Sequence, residues 1–202
     1  MIANMAITLR LNLSAAQQAR LRRLQLTFSE ACNFVFPFVA THRCWNRVAL
    51  HHLAYRAIRE NFPELGSQMA CNVIYSVSKT AKSVYQNPTS PYFVEKLEET
   101  PLPTLKFPSN TPVFLDRHTL SIRNDGISIF TLDGRLKFRI EISAEFEKRL
   151  FGQKIKEIIL FKDKKSFAIQ FHLAQKLTTS SVAQNVAESG QKPLAQTEDS
   201  LV

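Results

Sequence analysis

The stretch LDGRLKFRIEIS sets Arg135, Lys137 and Arg139 on one side of a period-two pattern and Leu136, Phe138, Ile140 and Ile142 on the other. Alternate residues of a strand share a face, so the three cations form a row with neighbours about 6.6 to 6.8 Å apart. That spacing is close to the phosphate repeat along one nucleic-acid strand, and such a row suits backbone contact rather than bond breaking. The same alternation also describes the solvated outer face of an antiparallel sheet. Arg123, at the end of the run TLSIR, is a separate candidate for nucleic-acid contact.

Other cations extend the candidate track. Arg10, Arg20, Arg22 and Arg23 gather where a first strand passes into a helix, and Arg43 and Arg47 flank Trp45. Arg56, Arg59, Lys79 and Lys82 lie largely off the apolar stripes of two later helices. The Trp45 indole suits either stacking on a base or filling a core.

Bond-breaking chemistry has little to work with. Metal-assisted hydrolysis needs acids that converge from rigid elements, whereas Asp116, Asp125, Asp133 and Asp163 all fall at turns or strand ends, the ordinary place for aspartate. His51 and His52 are adjacent on a helical pattern and point about 100° apart, which suits no shared ligand set. Cys32, Cys44 and Cys71 show no Cys-x-x-Cys pairing, which fits a reduced protein, and Cys32 and Cys71, in apolar helical contexts, read as buried small hydrophobes. There is no nucleophile elbow and no glycine-rich phosphate loop. The expectation is a binding protein with no metal and no cofactor.

The totals agree with a polyanionic partner. Twenty-six Lys and Arg against seventeen Asp and Glu give a formal charge of +9 on 202 residues, which favours nucleic acid first and an anionic membrane surface second. Residues 1–88 carry +7 of that charge, residues 89–175 carry +3 and residues 176–202 carry −1. No stretch approaches the apolar length of a membrane span, and MIANMAITLRLNLS lacks the pattern of a secretion signal, so a cytoplasmic location is expected.

The elements that must hold these cations divide into two periods. Ile7, Leu9, Leu11 and Leu13 alternate as a strand; Ser14 and Gln17 then form a capping box for a long helix that Pro37 should kink or end. A second helix is expected over 47–61 and a third from Ser67, as its cap, to about Gln86. NPTSP opens a linker. Then TLKF, VFLD, TLSIR, ISIFTL, RLKFRIEI, KIKEIILFK and SFAIQFHL read as short strands, with hairpin turns at Asn124-Asp125-Gly126 and Asp133-Gly134 and a short helix capped by Ser143. Six or so short antiparallel strands favour a closed or nearly closed barrel, since closure removes exposed edges. The fold class is α+β: a small OB-like β-barrel over 1–14 and 101–175, a helical bundle inserted after the first strand over 15–88, a linker over 89–100 and a disordered polar tail over 176–202.

This order of elements resembles the N-terminal half of TnpB-type proteins, the transposon-encoded RNA-guided nucleases related to type V CRISPR effectors. The resemblance covers roughly residues 6–175 and rests on the asparagine-bearing first helix, the run L-x-S-Q-x-A-x-x-V-I-x-x-V and the hairpin S-I-R-x-D-G-I-S-I...L-D-G-R-L-K. It implies a wedge domain for the barrel and a recognition domain for the helices, gripping guide RNA, target DNA and the short motif beside the target. The RuvC-like acids and zinc-ribbon cysteines of that family have no counterpart in this sequence, so cleavage does not carry over. Three readings follow: a nucleic-acid-binding protein without nuclease activity, one half of a split nuclease completed by a separately encoded RuvC-type chain, or a non-functional remnant of a transposable element.

Overall fold

The computed structural model describes residues 6–97, 100–123, 126–140, 143–163 and 166–174. The expected disordered tail and the residues Asn124, Asp125 and Ile142 lie outside these. The protein is α+β, with five helices and two antiparallel sheets among the described residues.

Strand β1, Ala6–Arg10, leads into helix α1, Ala15–His42. The capping box forms: the Ser14 amide donates to Gln17 Oε1 at 2.9 Å, and the Gln17 amide donates to Ser14 Oγ at 3.3 Å. Leu21, Leu24, Phe28, Ala31, Cys32, Val35 and Val39 make the buried stripe. Pro37 does not end α1, which continues past it to His42. The ring faces solvent on the side opposite the stripe. Each large apolar side chain of that stripe contributes about 1.5–3 kcal/mol on burial, which offsets the roughly 3 kcal/mol that an interior proline costs.

Helix α2, Arg47–Asn61, is capped by Asn46 Oδ1, which accepts from the amides of Val48 and Ala49. Helix α3, Ser67–Tyr85, begins one residue earlier than expected: Gly66 is the cap residue and Ser67 occupies the first turn. The Phe130 ring explains the glycine, since a Cβ there would lie 2.8 Å from Phe130 Cε1. A one-turn helix, α4, Val94–Leu97, sits inside the expected linker.

The strands do not close into the expected barrel. Among the described residues, β1, β7 (Phe167–Leu173), β6 (Ile155–Lys162) and β2 (Val113–Leu115) form one sheet in that order. A second sheet holds β3 (Leu120–Arg123), β4 (Gly126–Thr131) and β5 (Gly134–Phe138). The reason lies between β2 and β3. Asp116 Oδ1 accepts from the amides of His118 and Thr119, and this turn ends β2 after three residues and sends the chain into a separate hairpin. Helix α5, Ala144–Phe151, joins the sheets and is capped by Ser143 as expected.

The expected strand TLKF is also absent, and residues 101–108 are irregular. Side chains of α1 take the place of a strand partner. Asn33 Nδ2 donates to the Phe107 carbonyl and Asn33 Oδ1 accepts from the Phe107 amide, both at 2.8 Å. Gln25 Nε2 donates to the carbonyls of Asn110 and Thr111. One apolar cluster takes members from the helices, both sheets and this segment, Leu102 and Phe107 included. No described helix is long and apolar enough to cross a membrane.

Candidate nucleic-acid interface

The three-stranded sheet presents two unlike faces. Leu120, Ile127, Ile129, Leu136 and Phe138 are buried on the inner one. The strand register aligns Ser121, Ser128 and Lys137 in a row across the outer one and sets Arg123 opposite Gly126. Around this floor of small residues stand Arg123, Arg135, Lys137 and Arg139, which line a concavity of about 630 Å³. No described residue of its lining is acidic.

Local geometry holds the cations in place. Gly126 has φ 148, and a Cβ there would lie 2.2 Å from the Phe138 carbonyl oxygen, so β4 and β5 approach closely only because this residue is glycine. Gly134 turns the β4–β5 hairpin at φ 84. Arg135 is fixed twice: Nη1 donates to Ser128 Oγ at 3.0 Å and Nη2 to the His118 carbonyl at 2.8 Å. Arg123, Lys137 and Arg139 are exposed and form no ion pair among the described residues. Four positive groups on a concave surface attract anions.

The remaining sequence candidates lie elsewhere and are largely engaged within the protein. Arg20 Nη2 donates to Thr131 Oγ1 at 2.9 Å and to the Asp133 carbonyl at 3.0 Å, pinning α1 to the β4–β5 turn. Arg23 pairs with Asp133 at 3.2 Å and Arg10 with Asp163 at 3.7 Å. Arg56 pairs with Glu60 one helical turn away, Arg59 donates to the Leu65 carbonyl and Arg43 to the Thr100 carbonyl. Arg47 lies over the Tyr75 ring. Trp45 packs on Tyr85 with ring centroids 5.9 Å apart, at the rim of the helical core. Arg22 and Lys82 are exposed. Ser121 and Ser128 escaped notice in the sequence, although they obey the same alternation as the cations they sit among.

Lys79 belongs to a polar cluster that ties α3 to β6. Its Nζ donates to Glu157 Oε1 and Oε2 at 2.5 and 2.6 Å, and Tyr75 Oη donates to the same carboxylate. Burial works against the Glu157 charge, but the hydrogen bonds from Lys79 and Tyr75, with the charges of Lys79 and His172, more than offset it and hold its carboxyl below the usual range. Burial and the Glu157 contact push the Tyr75 phenol up to about 12. A depressed folded-state value makes the contribution of Glu157 to stability present above its unfolded value and lost as pH falls through the folded one. Lys79→Met should therefore lower stability by about 1–2 kcal/mol at neutral pH, less than a fully buried pair would lose, because the Lys79 side chain is 46% exposed. The deficit should shrink as the carboxylate is protonated, as thermal unfolding across acid pH would reveal.

No group of three or more His, Cys, Asp or Glu residues that could hold a metal occurs among the described residues. Asp116 accepts from Gln68 and closes a turn, and Asp133 and Asp163 face arginines. His51 stacks on Tyr55 with its Nε2 3.8 Å from Cys71 Sγ. Burial pushes the Cys32 thiol up, and a hydrogen bond with Ser76 opposes this only in part. No protein-family model matches the sequence, and no curated protein matches it.

Proposed function

We propose that the protein binds nucleic acid, RNA foremost, by its phosphates on the outer face of the β3–β4–β5 sheet, and that it acts by holding rather than cutting. The observation that carries this reading is the 630 Å³ concavity ringed by Arg123, Arg135, Lys137 and Arg139, with no acidic group in its described lining. The +9 charge supports it. So does the resemblance to TnpB-type N-terminal halves, under which the ligand is a guide-like transcript and its DNA target, and a RuvC-type nuclease chain is a further partner.

The test is a salt titration of binding to a fluorescent single-stranded RNA. Phosphate contacts release counterions, and each adds about −0.7 to the slope of log K against log salt on a single strand. Four contacts predict a slope of about −2.8 or steeper. A flat profile, or no binding at low salt, would remove the proposal.

A further inference from the structure

The concavity does not end at Arg135. The guanidinium that lines it also donates to the His118 carbonyl, and His118 with Arg117 lines a second concavity of about 440 Å³ shared with Lys156. Two carboxylates, Asp116 and Glu157, also line this second space. Both are occupied from within: Asp116 accepts from Gln68 and from the amides of its own turn, and Glu157 from Lys79 and Tyr75. Arg117 and Lys156 are exposed and have no acidic partner among the described residues. Lys156 owes its position to an irregularity. The β6–β7 register shifts between Ile155 and Glu157, so Lys156 is the extra residue of a bulge, a device that re-aims a side chain.

We infer that a bound strand runs from Arg139 along Lys137 and Arg135 and over His118 to a second anchor formed by Arg117 and Lys156, so that the ligand is an extended single strand. This rests on the reading above and deepens it. The row from Arg139 to Arg135 is about 13 Å long at a strand's rise per residue. A duplex lying along it would rotate by about 140° over that length at 34–36 Å per turn, carrying each backbone away from the surface. An extended strand follows both the row and the turn. Among the described lining residues the aromatic side chains are Phe138, which is buried, and His118, which is exposed, so His118 is the one ring there on which a base can stack.

The experiment measures anisotropy with labelled oligouridylates of about 4 to 12 nucleotides and with an RNA duplex of about 12 base pairs. Six cations predict a salt slope near −4.2 on the longer strands, affinity that rises with length until both concavities are spanned, and weaker binding of the duplex. Arg117→Ala with Lys156→Ala should reduce the slope by about 1.4 and abolish the gain with length, while far-ultraviolet circular dichroism stays unchanged. An unchanged slope in that variant, or a duplex bound as well as the single strand, would overturn the extended track while leaving the β3–β4–β5 site in place. Failure of every probe to bind would overturn both.

Discussion

Replacing Arg123, Arg135, Lys137 and Arg139 together by alanine is expected to lower affinity for single-stranded RNA about 600-fold near 0.1 M salt. Four phosphate contacts at 0.7 each remove about 2.8 from the salt slope, and over the tenfold interval from 1 M to 0.1 M that amounts to roughly 600-fold. The four side chains are exposed on one sheet face and none belongs to the core, so the fold should survive. Arg135 is the partial exception, since it loses its bonds to Ser128 and to the His118 carbonyl. Those are worth about 1 kcal/mol each. Anisotropy and thermal unfolding on the same samples separate the two effects. Affinity within tenfold of the parent would take this face out of the proposal.

The second large effect is conformational. Gly126→Val should destabilise the protein by at least about 3 kcal/mol, because two mechanisms act together. The backbone at φ 148 is one that a β-branched residue rarely adopts, and the new Cβ would fall 2.2 Å from the Phe138 carbonyl oxygen and 3.1 Å from Arg139 Cα. Backbone cannot step aside as a side chain can, so β4 and β5 must part at that end and Arg139 leaves the concavity with them. RNA affinity should fall along with the unfolding midpoint. Gly134→Ala is the control: φ is 84 but nothing lies within 4 Å of the added carbon, so the cost should be only about 1–2 kcal/mol. Equal effects at the two glycines would show that the close strand approach is immaterial.

Much of this architecture is written in local pattern. The capping box of Ser14 and Gln17, the stripe from Leu21 to Val39 and the alternation of Arg135 and Lys137 each depend on near neighbours and appear in the structure, whereas the expected strand RLKFRIEI ends at Phe138, which leaves Arg139 just past the end of β5. What local pattern missed depends on distant partners. TLKF alternates like a strand, but Asn33, more than seventy residues earlier, captures the Phe107 amide and carbonyl, so no strand is needed to satisfy them. Pro37 breaks helices in isolation, yet its place opposite a buried stripe lets α1 continue. Arg20 reads as a surface cation on a helix, and nothing nearby in sequence foretells that Thr131 and Asp133 return beneath it. Arg123 joins the row on β5 only once the β3–β4–β5 register is known, and Lys156 only once the bulge is.

The pairing of β1 with β7 sets a timetable for biosynthesis. Ile7 meets Phe171 and Leu9 meets Ile169, partners roughly 160 residues later in the chain. At about 5–20 residues per second the first strand leaves the ribosome some 8–30 s before the strand it must join. The β6–β7 hairpin forms from adjacent segments, so the N-terminal strand docks after it and its apolar side waits uncovered until β7 has left the ribosome. A holdase chaperone that covers Ile7 and Leu9 during that interval should raise the yield of native protein, whereas one acting only after chain release should do little.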